Sequence, residues 1–325
     1  MANTALTAVA AGLVSAVAAL GAQLGLPGSF VLACFAPLPL LAAGLGRGLA
    51  CGAIAAAAGV VAAVGLAGAA AAGVYAGLHA LPSWLLVHAA VAWIGGNGAG
   101  RTPTPIAAGP TGHALGAATA AGAMLAMLAV YAASLGCAVA VAFSGPDGVE
   151  ATMRTLLDQA VAVSMAALPV DARASFVDTA APFFIGLFGI SWQILIVGNA
   201  LLAQRIVARR GWAIRPTPSW SALRLPEWLA WPLVAAAALS LVTAGDAQYL
   251  ARSVALILAT PYFFLGLVVV HTLARRSRAG GLLLTAFYIS LVVFTVIAGA
   301  VVAGLGMIEQ WAGVRSRMAP HAHKE

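Results

Sequence analysis

The chain has 325 residues; 62% are hydrophobic, 8% are charged, and the formal net charge is +7. An ordinary soluble domain is about half apolar and a quarter charged, so a water-soluble globule of this composition would have to be apolar on its outside as well. A soluble enzyme, a disordered chain and a disulfide scaffold are thereby excluded, which leaves an all-helical polytopic membrane protein. The arginines fall in short clusters between apolar runs, the pattern that orients membrane helices. The expected partner is therefore a bilayer with anionic lipids, not nucleic acid. Cys34, Cys51 and Cys137 all lie in apolar stretches and suit helix contacts better than disulfides.

About 20 apolar residues are needed to cross the hydrocarbon core. Stretches that reach or approach that length are 4–24, 28–46, 48–67, 70–96, 113–143, 180–204, 228–244, 249–273 and 281–308. They predict a single transmembrane domain over residues 1–310 with eight or nine spans, followed by a mobile tail at 311–325. The first run has no basic segment before it and reads as a retained span rather than a cleaved signal.

The second run is interrupted in mid-membrane by Pro37 and Pro39. Carbonyls freed there must be satisfied by protein or water, because lipid offers no donors. Broken helices near the midplane are a recurring way to build substrate sites, so Pro37 and Pro39 are candidate binding positions. Gly44, Gly48 and Gly52 follow at intervals of four and predict a face where helix backbones approach closely.

The fourth run carries His79, Trp84, His88 and Asn97 around Pro82. An ionisable side chain inside a span is a functional candidate. His79 and His88 are nine residues apart, on opposite sides of a straight helix, and cannot jointly hold a metal from it. No metal and no cofactor are expected. The sixth run adds the candidate binding residues Trp192, Gln193 and Asn199, and the Gln193 amide, near the membrane interior, needs partners there.

Two connecting segments are long. In 144–179, Glu150, Arg154 and Asp158 are spaced for ion pairs along one helical face. Val149, Met153, Leu156, Leu157, Ala160 and Val163 fall on the other, predicting an amphipathic helix at the outer interface. Pro169 should end it and Asp171 cap a second. This segment is a candidate lid. In 205–227, Arg205, Arg209, Arg210, Arg215 and Arg224 are candidates for contact with anionic lipid or a membrane-protein partner, with Trp212, Trp220 and Trp228 suited to the interface.

The positive-inside rule places the N-terminus in the cytoplasm. Arg47, Arg101, the five arginines of 205–227, Arg275, Arg276 and Arg278 then share the cytoplasmic side. Arg154, Arg173, Arg252 and the tail basics Arg315, Arg317 and Lys324 fall on the other side with every acid but Glu227. The arrangement is clean for the loops and anomalous at the tail. No nucleotide-binding, metalloprotease or serine-hydrolase motif is present, and no acidic residue falls inside an expected span. The expectation is a non-enzymatic protein.

Three stretches in order, APLPLLAAGLGRG, LPSWLLVHAAVAW and NALLAQRIVARRGWAIRPTPSWSALRLPEWL, resemble the YybS-like family of predicted bacterial membrane proteins, in its alphaproteobacterial branch. That resemblance brings no catalytic residues, because the family has no established activity. It implies a helical bundle distantly similar to the substrate-binding subunits of energy-coupling-factor vitamin transporters and to the scaffold MreD. Those vitamin-binding subunits dock a partner through small residues of the first helix, here Ala8, Gly12 and Ala16. The leading expectation is a motorless small-molecule-binding or transport subunit of the bacterial inner membrane. Its pocket would be lined by the Pro37/Pro39 break, the 79–97 helix, Trp192 and Gln193. The rival expectation is a membrane scaffold with no small ligand.

Overall fold

A computed structural model describes residues 2–21, 23, 28–92, 110–215, 217, 220, 223–313 and 315. Every regular element among them is helical. Six stretches are long and apolar enough to cross a membrane: Ser29–Arg47, Leu49–Val91, Ala120–Ala142, Val170–Arg209, Gly245–Ala274 and Thr295–Ala312. Shorter apolar helices occupy Thr4–Leu20, Glu227–Val242 and Gly280–Val293. The chain divides into two compact units, one of residues 1–124 and 192–219, the other of 125–191 and 220–325.

In the first unit, α1 (Ala2–Leu20) lies along α4 (Leu49–Tyr75). Small side chains permit this. Ala8, Ala16, Ala55 and Ala63 have no exposed surface, and a Cβ at Gly12 would overlap Ala55 O and Gly59 N. The small-residue face of α1 is thus spent on α4 within the chain, not left free for a partner. Between them come α2 (Ser29–Cys34) and α3 (Pro37–Arg47). Gly48, at φ 96° and ψ 177°, turns α3 into α4, and Gly68, at φ 83° and ψ 176°, interrupts α4. Both conformations belong to glycine, because a Cβ clashes there. The second turn divides the apolar stretch Leu49–Val91, which continues through a π-helical turn (Ala76–Ala80) into α5 (Leu81–Ala92).

The expected glycine face is only partly a packing face. A Cβ at Gly44 would press into Val87, and one at Gly52 would stand 3.3 Å from the Gly44 Cα. Gly48 meets only Ile214, at an ordinary 3.7 Å, and serves as the turn.

The second unit is organised on α11 (Gly245–Ala274), which packs against α10 (Ala230–Val242) and α13 (Thr295–Ala312). The expected span 281–308 is divided at Phe294 into α12 (Gly280–Val293) and α13. No residue of α12 is buried, whereas α13 runs antiparallel to α11, with Gly266 against Val302 and Gly306 against Tyr262.

The segment after α6 (Pro110–Ala142) forms α7 (Val149–Ser164) and α8 (Val170–Ala180), leading into α9 (Phe184–Arg209). The buried face of α7 is Val149, Met153, Leu157 and Val161; Leu156 and Val163 are exposed. An i, i+4 stripe meets the neighbouring helices, and the wider apolar face expected from sequence does not. The ion pairs likewise leave the helix. Arg154 pairs with Asp178 on α8, and Glu150 with Arg252 on α11 at 3.5 Å. The start of α7 is held from α11, where Asp246 Oδ1 accepts the Val149 N–H at 2.8 Å. Pro169, not Asp171, is the N-cap of α8, and Asp171 lies in its first turn.

Candidate functional site

The break before α3 follows from two prolines. In an unbroken helix, residues 37 and 39 would donate to the carbonyls of Ala33 and Phe35, but proline has no N–H. The chain tightens instead: Ala36 N–H donates to Ala33 O at 3.2 Å and Leu38 N–H to Phe35 O at 3.0 Å. Leu38 is thereby diverted from Cys34 O, its regular partner. That carbonyl is taken by Asn199 Nδ2 of α9, at 2.8 Å. Two residues on, Ser15 Oγ of α1 donates to Ala36 O at 2.6 Å, and the Tyr75 hydroxyl donates to Ser15 Oγ at 2.8 Å. Ser15, Tyr75 and Asn199 are all buried, so protein groups meet the demand that lipid could not.

The second break repeats the same logic. Pro82 cannot donate to Leu78 O, and Trp192 Nε1 of α9 does so at 2.9 Å. The neighbouring π-helical turn carries His79, whose ring lies 5.7 Å from that of Tyr75. A π turn inside a helix often marks a functional position. Trp192 and Asn199 are seven residues apart, two helical turns, so one face of α9 serves both breaks.

Pro37, Pro39, His79, Trp192 and Asn199 are thus joined through Ser15 and Tyr75, neither of which sequence reasoning picked out. Their only signal was position: the one serine of α1, in its apolar second half, and a tyrosine one turn before His79 in an alanine- and glycine-rich run. Gln193 is buried beside Trp192. Trp84 and His88 stack on each other, 5.4 Å between ring centres, and His88 is exposed while Ser83 is buried. Asn97 lies outside the described residues, as do Trp93, His321 and His323.

Arg205, Arg209, Arg210 and Arg224 are exposed, and the Arg215 carbonyl accepts Gln204 Nε2 at 2.9 Å. Arg315 corrects the expected separation of the tail from this stretch. Its Nη2 donates to Leu223 O at 2.7 Å, so it lies beside Arg224 rather than across the membrane from it.

Four buried side-chain atoms of this unit have no hydrogen-bond partner among the described residues: His79 Nδ1, Ser83 Oγ, Asn199 Oδ1 and Arg215 Nε. The same residues therefore offer donors and acceptors beyond those that knit the helices together. Among the described residues, no group of three or more His, Cys, Asp or Glu side chains could hold a metal ion.

Trp192→Phe would keep most of the ring volume and leave Leu78 O without its donor. An unmet buried carbonyl costs about 1–3 kcal/mol, and unfolding of the purified protein in detergent should show a loss of that size. Trp231→Phe, at a residue 76% exposed, should change nothing. Equal losses in the two variants would mean that the Trp192 hydrogen bond contributes nothing to stability.

A family model described as a predicted membrane protein (DUF2232) matches residues 13–309. No curated protein and no solved structure matches the chain.

Proposed function

The chain belongs to the DUF2232 family of predicted membrane proteins, and we propose that within it this protein is a motorless small-molecule-binding or transport subunit. One observation carries this reading: His79 Nδ1, Ser83 Oγ and Asn199 Oδ1 are buried without partners in the unit that holds both proline breaks. Burying such groups unmet costs about 1–3 kcal/mol each, a cost that a hydrogen-bonding solute would offset. The buried polar side chains of this unit, Ser15, Ser83, Gln193, Asn199 and Gln204, are all uncharged. Arg215 Nε, the other unpartnered buried group of the unit, belongs to the 205–227 stretch and not to the proline breaks, so the solute read from the breaks is an uncharged, hydrogen-bonding molecule. His79 Nδ1 and Ser83 Oγ are not hydrogen-bonded to each other, and the proposed role is binding rather than catalysis.

The topological part of the proposal is eight or nine crossings of the bacterial inner membrane with a cytoplasmic N-terminus. Leu49–Val91 has 43 residues, about 65 Å of helix at 1.5 Å per residue. That is twice the hydrocarbon thickness of about 30 Å, and Gly68 supplies the turn for two passes. The arginine clusters support the orientation. The amphipathic α7 is read as extracytoplasmic. The YybS-like likeness, and through it the kinship with vitamin-binding subunits, supports the same reading.

Native mass spectrometry of the protein released gently from its own membranes tests it. The expected result is a stoichiometric small-molecule adduct that is lost in His79→Phe and Ser83→Ala, both of which leave the carbonyl caps intact. An adduct held equally by both variants would put the site elsewhere. A stable protein complex with no adduct would favour the MreD-like scaffold, for which the arginines of 205–224 are the docking candidates.

A further inference from the structure

The end of α3 and the end of α9 are remote in sequence and meet in the first unit. A Cβ at Gly46 would stand 3.2 Å from Val207 Cγ1 and 3.8 Å from Trp212 Cβ. After α9 the chain reverses at Gly211, which has φ 69°. Trp212 N–H then donates back to Val207 O at 2.8 Å, and Ile214 N–H donates to Leu45 O of α3 at 3.3 Å. Trp212 is thus fixed by backbone bonds against the last turn of α3.

Two guanidiniums converge on this one ring. The Cζ atoms of Arg47, from α3, and Arg210, from the end of α9, each lie 5.2 Å from the Trp212 ring centre. They can be no more than twice that distance apart. The ring attracts each cation but does nothing to relieve their mutual repulsion. Among the described residues, the ion pairs are those of Arg154, Arg252 and Arg315, and no carboxylate pairs with Arg47 or Arg210. The partial negative charge at two helix C-termini, about half a unit each, explains why cations gather here and leaves a net positive site. Both arginines are exposed, and Trp212 is 46% exposed.

The position restricts what the missing anion can be. α3 and α9 are the last parts of apolar stretches of membrane-crossing length, Ser29–Arg47 and Val170–Arg209, that end at this point. Tryptophan at such an end favours the headgroup level, where phospholipid phosphates lie. A guanidinium fork matches phosphate oxygens in pairs, which an ammonium does not. We propose that Arg47, Arg210 and Trp212 form a binding site for the phosphate headgroup of an anionic phospholipid. The site is independent of the solute-binding reading, since it shares no residue with the proline breaks.

The test is a titration of the full chain in detergent with phosphatidylglycerol or phosphatidylcholine, read as bound lipid by native mass spectrometry. Phosphatidylglycerol should be retained in preference. Arg47→Gln and Arg210→Gln should each weaken its binding about fivefold, the usual contribution of one basic residue near an anionic surface. Arg278→Gln, which removes the same charge from an exposed residue elsewhere, should not. Arg47→Lys keeps the charge and loses the fork; it should fall between parent and Arg47→Gln, and it provides a measurement should the glutamine variant fail to fold. Equal losses at Arg47, Arg210 and Arg278 would reduce the site to diffuse surface charge and overturn it. Competition by water-soluble glycerol phosphate as effective as that of the lipid would overturn the lipid as its occupant.

Discussion

Gly306→Ala is expected to destabilise the protein by about 3 kcal/mol or more, a larger effect than most single methyl additions produce. A Cβ at Gly306 would overlap the Tyr262 carbonyl, and one at Gly266 would overlap the Val302 carbonyl. Overpacking against a side chain typically costs about 1–3 kcal/mol because the neighbour can rotate away. A backbone carbonyl inside a helix cannot rotate. The only relief is to separate α11 from α13, and with it the packing of the buried Tyr262, Leu265, Val269 and Val302. Gly304→Ala, two residues away with nothing within 4 Å of the new atom, is the control. It should be neutral or gain up to about 1 kcal/mol from reduced backbone freedom. Thermal unfolding of the two variants in the same detergent decides the matter. If they unfold together, the two backbones do not cross at this point.

Arg315→Leu is expected to cost about 3–5 kcal/mol, because it would strand a buried carboxylate. Glu309 lies in α13 with its side chain 5% exposed, paired with Arg315 Nε at 2.7 Å. The Arg315 backbone N–H donates to the second carboxylate oxygen at 3.1 Å. Arg315 Nη2 reaches Leu223 O, and Gln310 Nε2 donates to Leu225 O at 3.0 Å. The end of α13 is thereby fastened to the irregular 223–225 stretch that precedes α10. Removing both charges with Glu309→Leu and Arg315→Leu together should recover much of the loss, since a buried pair replaced by apolar groups is often close to neutral. A double-mutant cycle measured by unfolding reports the coupling. A double variant that loses the sum of the two single losses would show that the charges act independently.

Glu309 also shows where sequence reasoning stops. Counting apolar residues placed it beyond the last span, on the far side from Arg224. The helix instead restarts at Thr295 after the break at Phe294 and carries Glu309 into a buried pair. Neither the break nor the pair has a signature in a run as uniformly apolar as 281–308. The same limit applies to α7. Its charges were spaced for pairing along the helix, but partners on α8 and α11 were nearer, and no spacing rule on one helix can anticipate them.

The two proline breaks were legible because their cause is covalent. Proline lacks an N–H wherever it stands, and in lipid the stranded carbonyl must find a donor. Hence Pro39 and Pro82 marked the places that Asn199 and Trp192 now serve, and Ser15 adds a bond at Ala36 O, between the carbonyls that the first two prolines free and the start of α3. Sequence placed Asn199 and Trp192 among the candidate binding residues and asked for partners only at Gln193; the structure shows that Asn199 and Trp192 meet the freed carbonyls. Ser15 was missed because a hydroxyl in an apolar helix can meet its own need by bonding back to its own helix, and Tyr75 because a tyrosine in an apolar run reads as a packing residue. Only the approach of α1 to α4 turns them outward to a neighbour.

By itself, then, the amino-acid sequence determined that this is an all-helical membrane protein, roughly where its helices run, and where their hydrogen bonding must fail. Those properties depend on composition, on segment length and on the missing proline N–H, all local to the chain. Which donor meets which freed carbonyl was decided by tertiary structure. So were the face of α1 consumed by α4, the turn at Gly48 and the pairing of Glu309 with Arg315. So was the meeting of Arg47 with Arg210 over Trp212. In a chain so rich in alanine and glycine, many helix faces are small enough to pack together. The choice among them is made by contacts between residues far apart in sequence, which no local pattern encodes.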